Sequence, residues 1–357
     1  METMIYGAKS LALGAYKAMS LLYPERKING FLVSSLENNP EMLAGIPVTE
    51  IGNFADKLTE SQKDDICVYV ATPEDVHSQI LDTVKKYGFK NVELMCSEKE
   101  AELMGKYFEK IGLFPSVHNL DKGNEFPNIK IFKIKFFKDK SLKNKYEFPD
   151  WVHDIQVGAD LTDQKVAYYR DNMGDNISSK NGNYCEMTAY YWLWKSFMEN
   201  DNSEYYGFYH YRRCLDITED DLKRIKLNSA DVVLPYPTLH EPDIKEHHTR
   251  YVKETDWETM LSVLKELYPD YYAAYEDIFS REYFYNYNMM IAKRTVMREY
   301  CEWLFPLLKR VEETSIPKGS ERADRYTAYM SESLTTLYFI YNRDRLKIYH
   351  TGRRMLV

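Results

Sequence analysis

Residues 205–216, YYGFYHYRRCLD, join an apolar stretch of strand character to a run of cationic and hydrogen-bonding side chains: His210, Tyr211, Arg212 and Arg213. Ligands of open α/β sheets bind at the carboxyl ends of strands. An arginine guanidinium is planar, permanently charged and well matched to phosphate oxygens. The pattern therefore predicts fixed positive charge over a cleft. The alternative, surface arginines paired with acids such as Asp216, explains one arginine better than two.

A polar loop precedes this strand and offers many hydrogen-bonding groups. It begins near residue 155, and its most polar part contains Asp175, Asn176 and Lys180. Polar loops held by a rigid scaffold are common binding sites. A helix is predicted from Tyr184 onwards, with Asn181 as one of two possible caps. We expect the loop to contribute to a binding site.

Two glutamates receive different interpretations. Glu186 falls in the opening turn of the predicted helix, where a carboxylate suits the helix dipole, so a structural role explains it. Glu332 lies within an otherwise neutral, apolar and hydroxylated helix. It is either capped or paired there, or it is a carboxylate facing the cleft with its pKa tuned for general-base catalysis.

The elements that must position these groups fall into two parts. Residues 1–111 alternate strand and helix signals, which predicts a parallel sheet covered by helices. One of these helices is predicted to open at Pro73, with Thr72 as its cap and Gly88 as its stop. Residues 112–128 are rich in Pro, Gly, Asn and Asp and are predicted to be a linker, followed by a second α/β domain over residues 129–357.

The first turn of the N-terminal domain lies where a dinucleotide-binding glycine loop would lie. Gly7 is present, but Lys9 and Ala12 replace the second and third glycines of that fingerprint. The unit resembles the small Rossmann-like domains that accompany bacterial sugar-modifying enzymes. Its turn could hold a nucleotide-sugar, or the unit could be a docking or regulatory module with an empty turn.

Bulk composition narrows the function classes. A formal charge of −8, from 47 basic and 55 acidic residues, argues against general nucleic-acid binding. Neither the five cysteines nor the histidines at 240, 247 and 248 have the spacing of a standard metal site. With no signal-peptide pattern and no long apolar segment, we expect a cytoplasmic protein. The seven lysines between residues 128 and 150 fit a solvated loop better than a membrane-facing surface.

Several of these stretches together resemble the DUF4422 family. IQVGADLTD, YYRDNMGDNISSKNGNYCEMTAYYWLWK, YGFYHYRR, YNYNMMIAKR and YMSESL occur in the family's order, from about residue 129 to the C-terminus. The family resembles GT-A-type glycosyltransferases, and its characterised members are galactofuranosyltransferases of bacterial surface polysaccharide assembly. The resemblance implies inverting transfer from UDP-galactofuranose to a glycan acceptor linked to undecaprenyl diphosphate, at the inner face of the membrane.

The resemblance also implies roles for individual residues. Most GT-A enzymes place an Asp-x-Asp at the strand end where this chain has His210, Tyr211, Arg212 and Arg213, so the arginines are expected to replace a divalent Mg or Mn ion on the diphosphate. Glu332 matches the glutamate of the family's Ser-Glu-Arg helix and is expected to be the general base for the acceptor hydroxyl. The remaining matches are expected to line the donor pocket or to approach the sugar: Asp175, Asn176, Lys180, Asn181 and Asn288.

Two departures from the family pattern leave the donor open. The strand IKIFKIKFF lacks the Thr-His-Lys that usually follows it, and the family's Ser-Glu-Arg is Ser331-Glu332-Ser333 here. Three alternatives to a galactofuranosyltransferase remain. They are a transferase of another nucleotide-sugar, an NAD-linked sugar oxidoreductase that uses the N-terminal sheet, and a glycan-binding assembly protein without activity.

Overall fold

A six-stranded sheet forms the first part of the chain in the computed structural model, which describes residues 2–357. Its strands are β1 Glu2–Tyr6, β2 Lys27–Val33, β3 Met42–Leu43, β4 Ile46–Glu50, β5 Ile66–Val70 and β6 Asn91–Leu94. They lie in the order β3-β4-β2-β1-β5-β6, and all neighbours are parallel except the β3–β4 hairpin. The predicted parallel sheet is confirmed, whereas the hairpin was not predicted.

Five helices accompany this sheet: α1 Ser10–Leu22, α2 Ile51–Ala55, α3 Glu60–Asp64, α4 His77–Lys86 and α5 Ser97–Ile111. The cap predicted for α4 is wrong. A 3₁₀ turn at Glu74–Val76 separates Pro73 from α4, and the buried Thr72 hydroxyl has no hydrogen-bond partner within residues 2–357. Gly88 follows the end of α4 at φ 89°, a conformation that favours glycine.

The segment 112–128 packs against the second sheet. Val117 is fully buried, and His118 hydrogen bonds to Asp221 at 2.9 Å and to Thr351 at 3.0 Å. The residues with linker composition are thus fixed in place by the domain that follows them. The exact domain boundary stays a prediction.

The second sheet has seven strands. They are β7 Ile129–Lys135, β8 Val152–Gln156, β9 Tyr169–Arg170, β10 Tyr205–Tyr209, β12 Val232–Pro235, β15 Met290–Lys293 and β16 Ile348–Thr351, in the order β16-β12-β15-β10-β7-β8-β9. Only β15 runs antiparallel to its neighbours. Gly207 lies at the centre of β10, where a Cβ would lie 2.9 Å from the Met290 carbonyl oxygen, so a side chain would disturb the middle of the sheet.

Helices and an aromatic core cover this sheet. The helices are α6 Asn181–Tyr184, α7 Met187–Trp192, α8 Glu219–Asn228, α9 Lys245–His248, α10 Glu254–Leu267, α11 Pro269–Phe279, α12 Arg294–Thr314 and α13 Tyr326–Tyr341. The stacked rings of Tyr190 and Phe208, 3.9 Å apart, join α7 to β10. Much of the tyrosine content of the chain is thus core packing. Among the described residues, no helix is both long enough and apolar enough to cross a bilayer.

Two short antiparallel ribbons link the two sheets. One pairs β11 Arg213–Leu215 with β17 Arg353–Met355, and the other pairs β13 Thr238–Leu239 with β14 Tyr283–Phe284. Strand β17 contacts α5, and β13 contacts α1. Leu239 is 1% exposed because it joins the apolar cluster under α1. Each ribbon therefore fixes the second part of the chain to a helix of the first.

Candidate active site

A large cavity opens at the carboxyl ends of β7, β8 and β10. Its volume is about 680 Å³, and the residues that directly follow these strands, Phe136, Val157 and His210, form one wall. Helix α13 and the loop before β15 form the opposite wall. The volume lies in the range of small-molecule sites, and the position is the one expected for ligands of an open α/β sheet.

The end of β10 contributes its side chains through a tight turn. His210 pairs with Arg213 across this turn, so the chain reverses into β11. His210, Tyr211 and Arg213 all line the cavity. The Nε2 atom of His210 is buried without a hydrogen-bond partner in the described chain, and burial lowers the pKa of this imidazole. A neutral histidine and a guanidinium therefore share this wall.

The two adjacent arginines have different environments. The Cζ atom of Arg213 lies 4.4 Å from the centre of the Tyr287 ring, and no carboxylate of residues 2–357 forms an ion pair with it. Arg212 does not line the cavity, because it pairs with Asp75 of the N-terminal part at 3.1 Å. Arg212 lies in the turn itself, whereas Arg213 begins β11, so the two side chains take different directions. Of the two arginines predicted to lie over the cleft, only Arg213 lines the cavity.

Glu332 faces this cation from α13. Its side chain is 12% exposed, and one carboxylate oxygen accepts a hydrogen bond from the Tyr287 backbone N–H at 3.2 Å. Burial, together with the nearby charge of Glu186, raises the pKa of Glu332 to about 8, although Arg213 acts in the opposite direction. The prediction of a carboxylate facing the cleft agrees with this placement. Its catalytic role stays a prediction.

Glu186 is one of the cavity residues that the sequence did not predict. The predicted helix is interrupted at Cys185, which has φ 46°, so α6 and α7 are separate and Glu186 precedes α7. Glu186 lines the cavity and accepts a hydrogen bond from the Asn288 side-chain amide at 2.8 Å. The one feature of the sequence that could have indicated a role for Glu186 in the site is its place in GDNIS…YCE, the block that carries the family resemblance.

Asn288 lies behind the carboxylates and does not line the cavity. It is 1% exposed, donates to Ser331 Oγ at 2.8 Å as well as to Glu186, and accepts from Thr335 Oγ1 at 3.1 Å. This placement contradicts the expectation that Asn288 approaches the sugar. Because its amide is fully engaged by neighbouring side chains, Asn288 orients Glu186.

Most of the predicted loop residues lie away from the cavity. Asp175 accepts a hydrogen bond from the Tyr191 hydroxyl at 3.2 Å, Asn176 bonds within its own turn, and Lys180 pairs with Glu312 at 2.7 Å. None of the three lines the cavity, whereas Asn181 does. The polar groups of these three residues are satisfied within the loop or by α7 and α12, so they serve the structure of the loop.

Other cavity residues come from distant parts of the chain. His247 Nε2 lies 4.0 Å from Glu332, and burial with the charges around it lowers the pKa of His247 to about 3, so this imidazole is neutral. Tyr251 and Tyr329 stack 4.8 Å apart beside it. Arg325, at φ 65°, precedes α13 and adds an exposed cation. With Lys138 and Asp139 also in its lining, the cavity combines aromatic surfaces, three cations and three carboxylates.

Comparison with known proteins identifies a family and a fold. The family model described as "Domain of unknown function (DUF4422)" matches residues 138–343, more than half of the chain. The solved structure titled "WbbM bifunctional glycosytransferase apo structure" is similar to 64% of this chain, with a TM-score of 0.53 and 24% identity. This likeness supports the predicted α/β fold of a glycosyltransferase domain. The matched region spans 45% of that protein.

A weaker match covers 31% of this chain and 60% of a solved Rex-family repressor, with 13% identity and a TM-score of 0.23, too low to support a structural comparison. No curated protein matches the chain.

Proposed function

Because the chain belongs to the DUF4422 family, we propose that its cavity binds a nucleotide-sugar and that the protein transfers the sugar to a glycan acceptor. One observation carries the proposal: a guanidinium without an acidic partner, Arg213, and a buried carboxylate, Glu332, line the same cavity at the carboxyl ends of parallel strands. Transfer from a diphosphate needs both kinds of group, a cation for the leaving group and a base for the acceptor.

The donor diphosphate is assigned to the wall formed by His210, Tyr211 and Arg213. During transfer the bond between the anomeric carbon and the diphosphate oxygen breaks, and its electron pair leaves with the diphosphate. Arg213 lies where it can receive this negative charge, and its guanidinium can donate two parallel hydrogen bonds to phosphate oxygens. Charge stabilisation of this kind is often the largest single contribution to catalysis.

The acceptor proton is assigned to Glu332. The acceptor oxygen bonds to the anomeric carbon, and its proton passes to the carboxylate. A pKa of about 8 makes Glu332 a better proton acceptor than an ordinary carboxylate while it remains partly ionised near neutral pH. The Tyr287 N–H fixes one oxygen of this carboxylate.

The side chains at the end of β10 do not fit a divalent metal of the GT-A type. Mg²⁺ prefers oxygen ligands, whereas this strand end offers an imidazole, a phenol and two guanidiniums. The proposed mechanism therefore contains no metal step. We expect EDTA to leave turnover unchanged. Loss of turnover in EDTA with recovery only in Mn²⁺ or Mg²⁺ would show that a metal carries the charge instead of Arg213.

The finer proposal is inverting transfer of galactofuranose from UDP-galactofuranose to a lipid-diphosphate-linked glycan of a surface polysaccharide, such as capsule, exopolysaccharide or O-antigen. Support comes from the family resemblance together with the cation-lined cavity. The missing Thr-His-Lys after β7 and the serine at position 333 make other UDP-sugars the competing donors.

A donor screen tests both levels of the proposal. UDP, UDP-galactofuranose and UDP-galactopyranose are compared for protection against thermal unfolding and for hydrolysis without an acceptor. We expect all UDP compounds to raise the melting temperature and only the true donor to be hydrolysed. Protection without hydrolysis of any sugar would favour a nucleotide-sugar-binding assembly protein. Protection by NAD(H) alone would favour the oxidoreductase alternative.

A further inference from the structure

Four side chains form a continuous connection between the N-terminal sheet and the cavity. Glu100 of α5 accepts a hydrogen bond from Arg353 of β17 at 2.6 Å. The Cζ atoms of Arg353 and Arg213 lie 5.2 Å and 4.4 Å from the centre of the same Tyr287 ring. Through this ring, a carboxylate of the first sheet's helix is linked to the guanidinium that faces the cavity.

We propose that Glu100 is a positioning residue for Arg213: by holding Arg353 against Tyr287, it fixes the ring on which Arg213 rests and so sets the affinity of the cavity for a diphosphate. The proposal rests on the function proposed above and gives the N-terminal domain a role in it. Glu100 does not line the main cavity, and its contacts reach Arg213 through Arg353 and Tyr287.

The charges around the Tyr287 ring support this role of Glu100. The guanidiniums of Arg213 and Arg353 both lie against the Tyr287 ring, and like charges repel each other. The side chains of Arg353 and Glu100 are only 10% and 18% exposed, so their pairing is shielded from solvent. Glu100 therefore compensates Arg353 and leaves Arg213 as the cation available to a ligand. Without the carboxylate, Arg353 would be a poorly solvated charge beside Arg213.

The backbone of the β11–β17 ribbon also connects α5 to Arg213. Arg213 pairs with Met355 in the β11–β17 ribbon. The Met355 N–H donates to Ser97 Oγ at 3.0 Å, and the Ser97 hydroxyl donates to Glu74 at 2.9 Å. The first turn of α5 thus holds β17, and β17 holds the strand that begins with Arg213.

The space between the ribbon and the carboxyl ends of β5 and β6 is too small for a ligand. Ligands of doubly wound sheets bind at the carboxyl ends of the strands. Beyond β5 and β6, at Thr72 and Met95, the ribbon leaves a volume of only about 40 Å³. Small-molecule sites usually measure about 300–1,000 Å³. The ribbon therefore fills this part of the sheet edge, and the edge supports the ribbon instead of binding a ligand.

The test compares Glu100→Gln with Glu102→Gln in the full-length protein, using UDP as the probe and calorimetry as the readout. Glu102 is an exposed residue of the same helix that pairs with Lys106. We expect UDP affinity to fall about tenfold in Glu100→Gln, the size of one impaired charge-assisted hydrogen bond, and to be unchanged in Glu102→Gln. Equal UDP affinity in folded Glu100→Gln and wild type would overturn the proposal.

The double variant Glu100→Gln/Arg353→Gln guards against misfolding, because it leaves no charge without its partner. Positioning predicts that UDP affinity stays low in this variant. Recovery of wild-type affinity would show that the pair serves only to avoid an uncompensated charge, and the proposal would be wrong.

Hydrogen exchange separates this proposal from the proposed function. We expect the backbone amides of residues 213–215 to exchange faster in Glu100→Gln than in Glu102→Gln, whether or not UDP binds. If wild type does not bind UDP but this local effect is present, the nucleotide-sugar function fails and the support of β11 by Glu100 stands. Unchanged exchange in β11 would overturn the positioning role itself.

Discussion

The carboxyl edge of the seven-stranded sheet is open, whereas the part of the six-stranded sheet's carboxyl edge beyond β5 and β6 is covered. The edge of the seven-stranded sheet opens into a cavity of about 680 Å³ lined by Arg213, Glu186 and Glu332. At the six-stranded sheet, the edge beyond β5 and β6 is covered by the β11–β17 ribbon, and about 40 Å³ remains. Ligands of parallel sheets bind at the carboxyl ends of the strands, so a site could form at either edge.

The difference shows that sheet topology defines where a site can form, while the neighbouring chain decides whether it does. The covered edge keeps its helix-start chemistry, with the Ser97 hydroxyl and the Glu100 carboxylate, but these groups bind the ribbon. The open edge receives a cation that is supported from the covered one.

The largest effect is expected at the open edge, from Glu332→Gln. Glutamine keeps the shape and can still accept the Tyr287 N–H, but it cannot take a proton. We expect kcat to fall about 10²–10⁴-fold, the usual contribution of a general base, while UDP affinity changes little. A Glu332→Gln protein with near-normal kcat would remove Glu332 from the mechanism.

The adjacent arginines allow a matched comparison between the edges. Arg213→Ala removes the cation of the open edge, and we expect kcat to fall about 10²–10³-fold, together with a loss of UDP affinity. Arg212→Ala removes only the partly exposed pair with Asp75, for which we expect a change in stability of about 0–1 kcal/mol and nearly normal turnover. Equal losses in the two variants would contradict the assignment of the leaving-group charge to Arg213.

Gly352→Ala tests the contact between the ribbon and α5. A Cβ at this position would overlap the Cβ of Ala101 on α5, which is too short to move aside, so β17 must shift. We expect a destabilisation of about 1–3 kcal/mol and a several-fold weaker binding of UDP.

The control for Gly352→Ala is Leu13→Ala, which destabilises the N-terminal core under α1, away from the ribbon. If both variants weaken UDP binding in proportion to their lost stability, the ribbon has no specific influence on the cavity.

Regular elements were predictable from the sequence because their patterns are local. The continuous apolar run ICVYV forms β5, and residues 294–314, with apolar side chains at helical spacing, form α12. The β3–β4 hairpin was missed because its first strand has only two residues and carries no period. The Thr72 cap was wrong because a 3₁₀ turn intervenes before α4, a local choice that composition does not reveal.

The candidate site was predictable only in part, because its geometry depends on contacts distant in sequence. The strand-end rule located Arg213, but the sequence could not show that Arg212 meets Asp75, 137 residues away. Glu186 already had an adequate explanation as a helix-start acid, and the break at Cys185 changes that role. Asn288 was expected to approach the sugar, but it is buried behind Glu186, where it bonds to Glu186 and Ser331.

The smallest expected effect is a shift in the pH dependence of kcat, caused by Glu186→Gln at the open edge. A general base must be ionised, so with a pKa of about 8 for Glu332 we expect kcat to rise as the pH increases through 8. The charge of Glu186 raises this pKa. Glu186→Gln removes that negative charge, so the half-maximal point should move to lower pH, by roughly one unit for carboxylates sharing a site.

The matched control is Glu254→Gln, an exposed carboxylate that lies 3.5 Å from His248 and does not line the cavity. Its pH profile should coincide with that of wild type, whatever happens to the absolute rate of Glu186→Gln. A Glu186→Gln profile with an unchanged midpoint would mean that the two carboxylates do not interact. Burial alone would then set the proton affinity of Glu332, and Asn288 would orient Glu186 for contact with substrate rather than for its effect on the base.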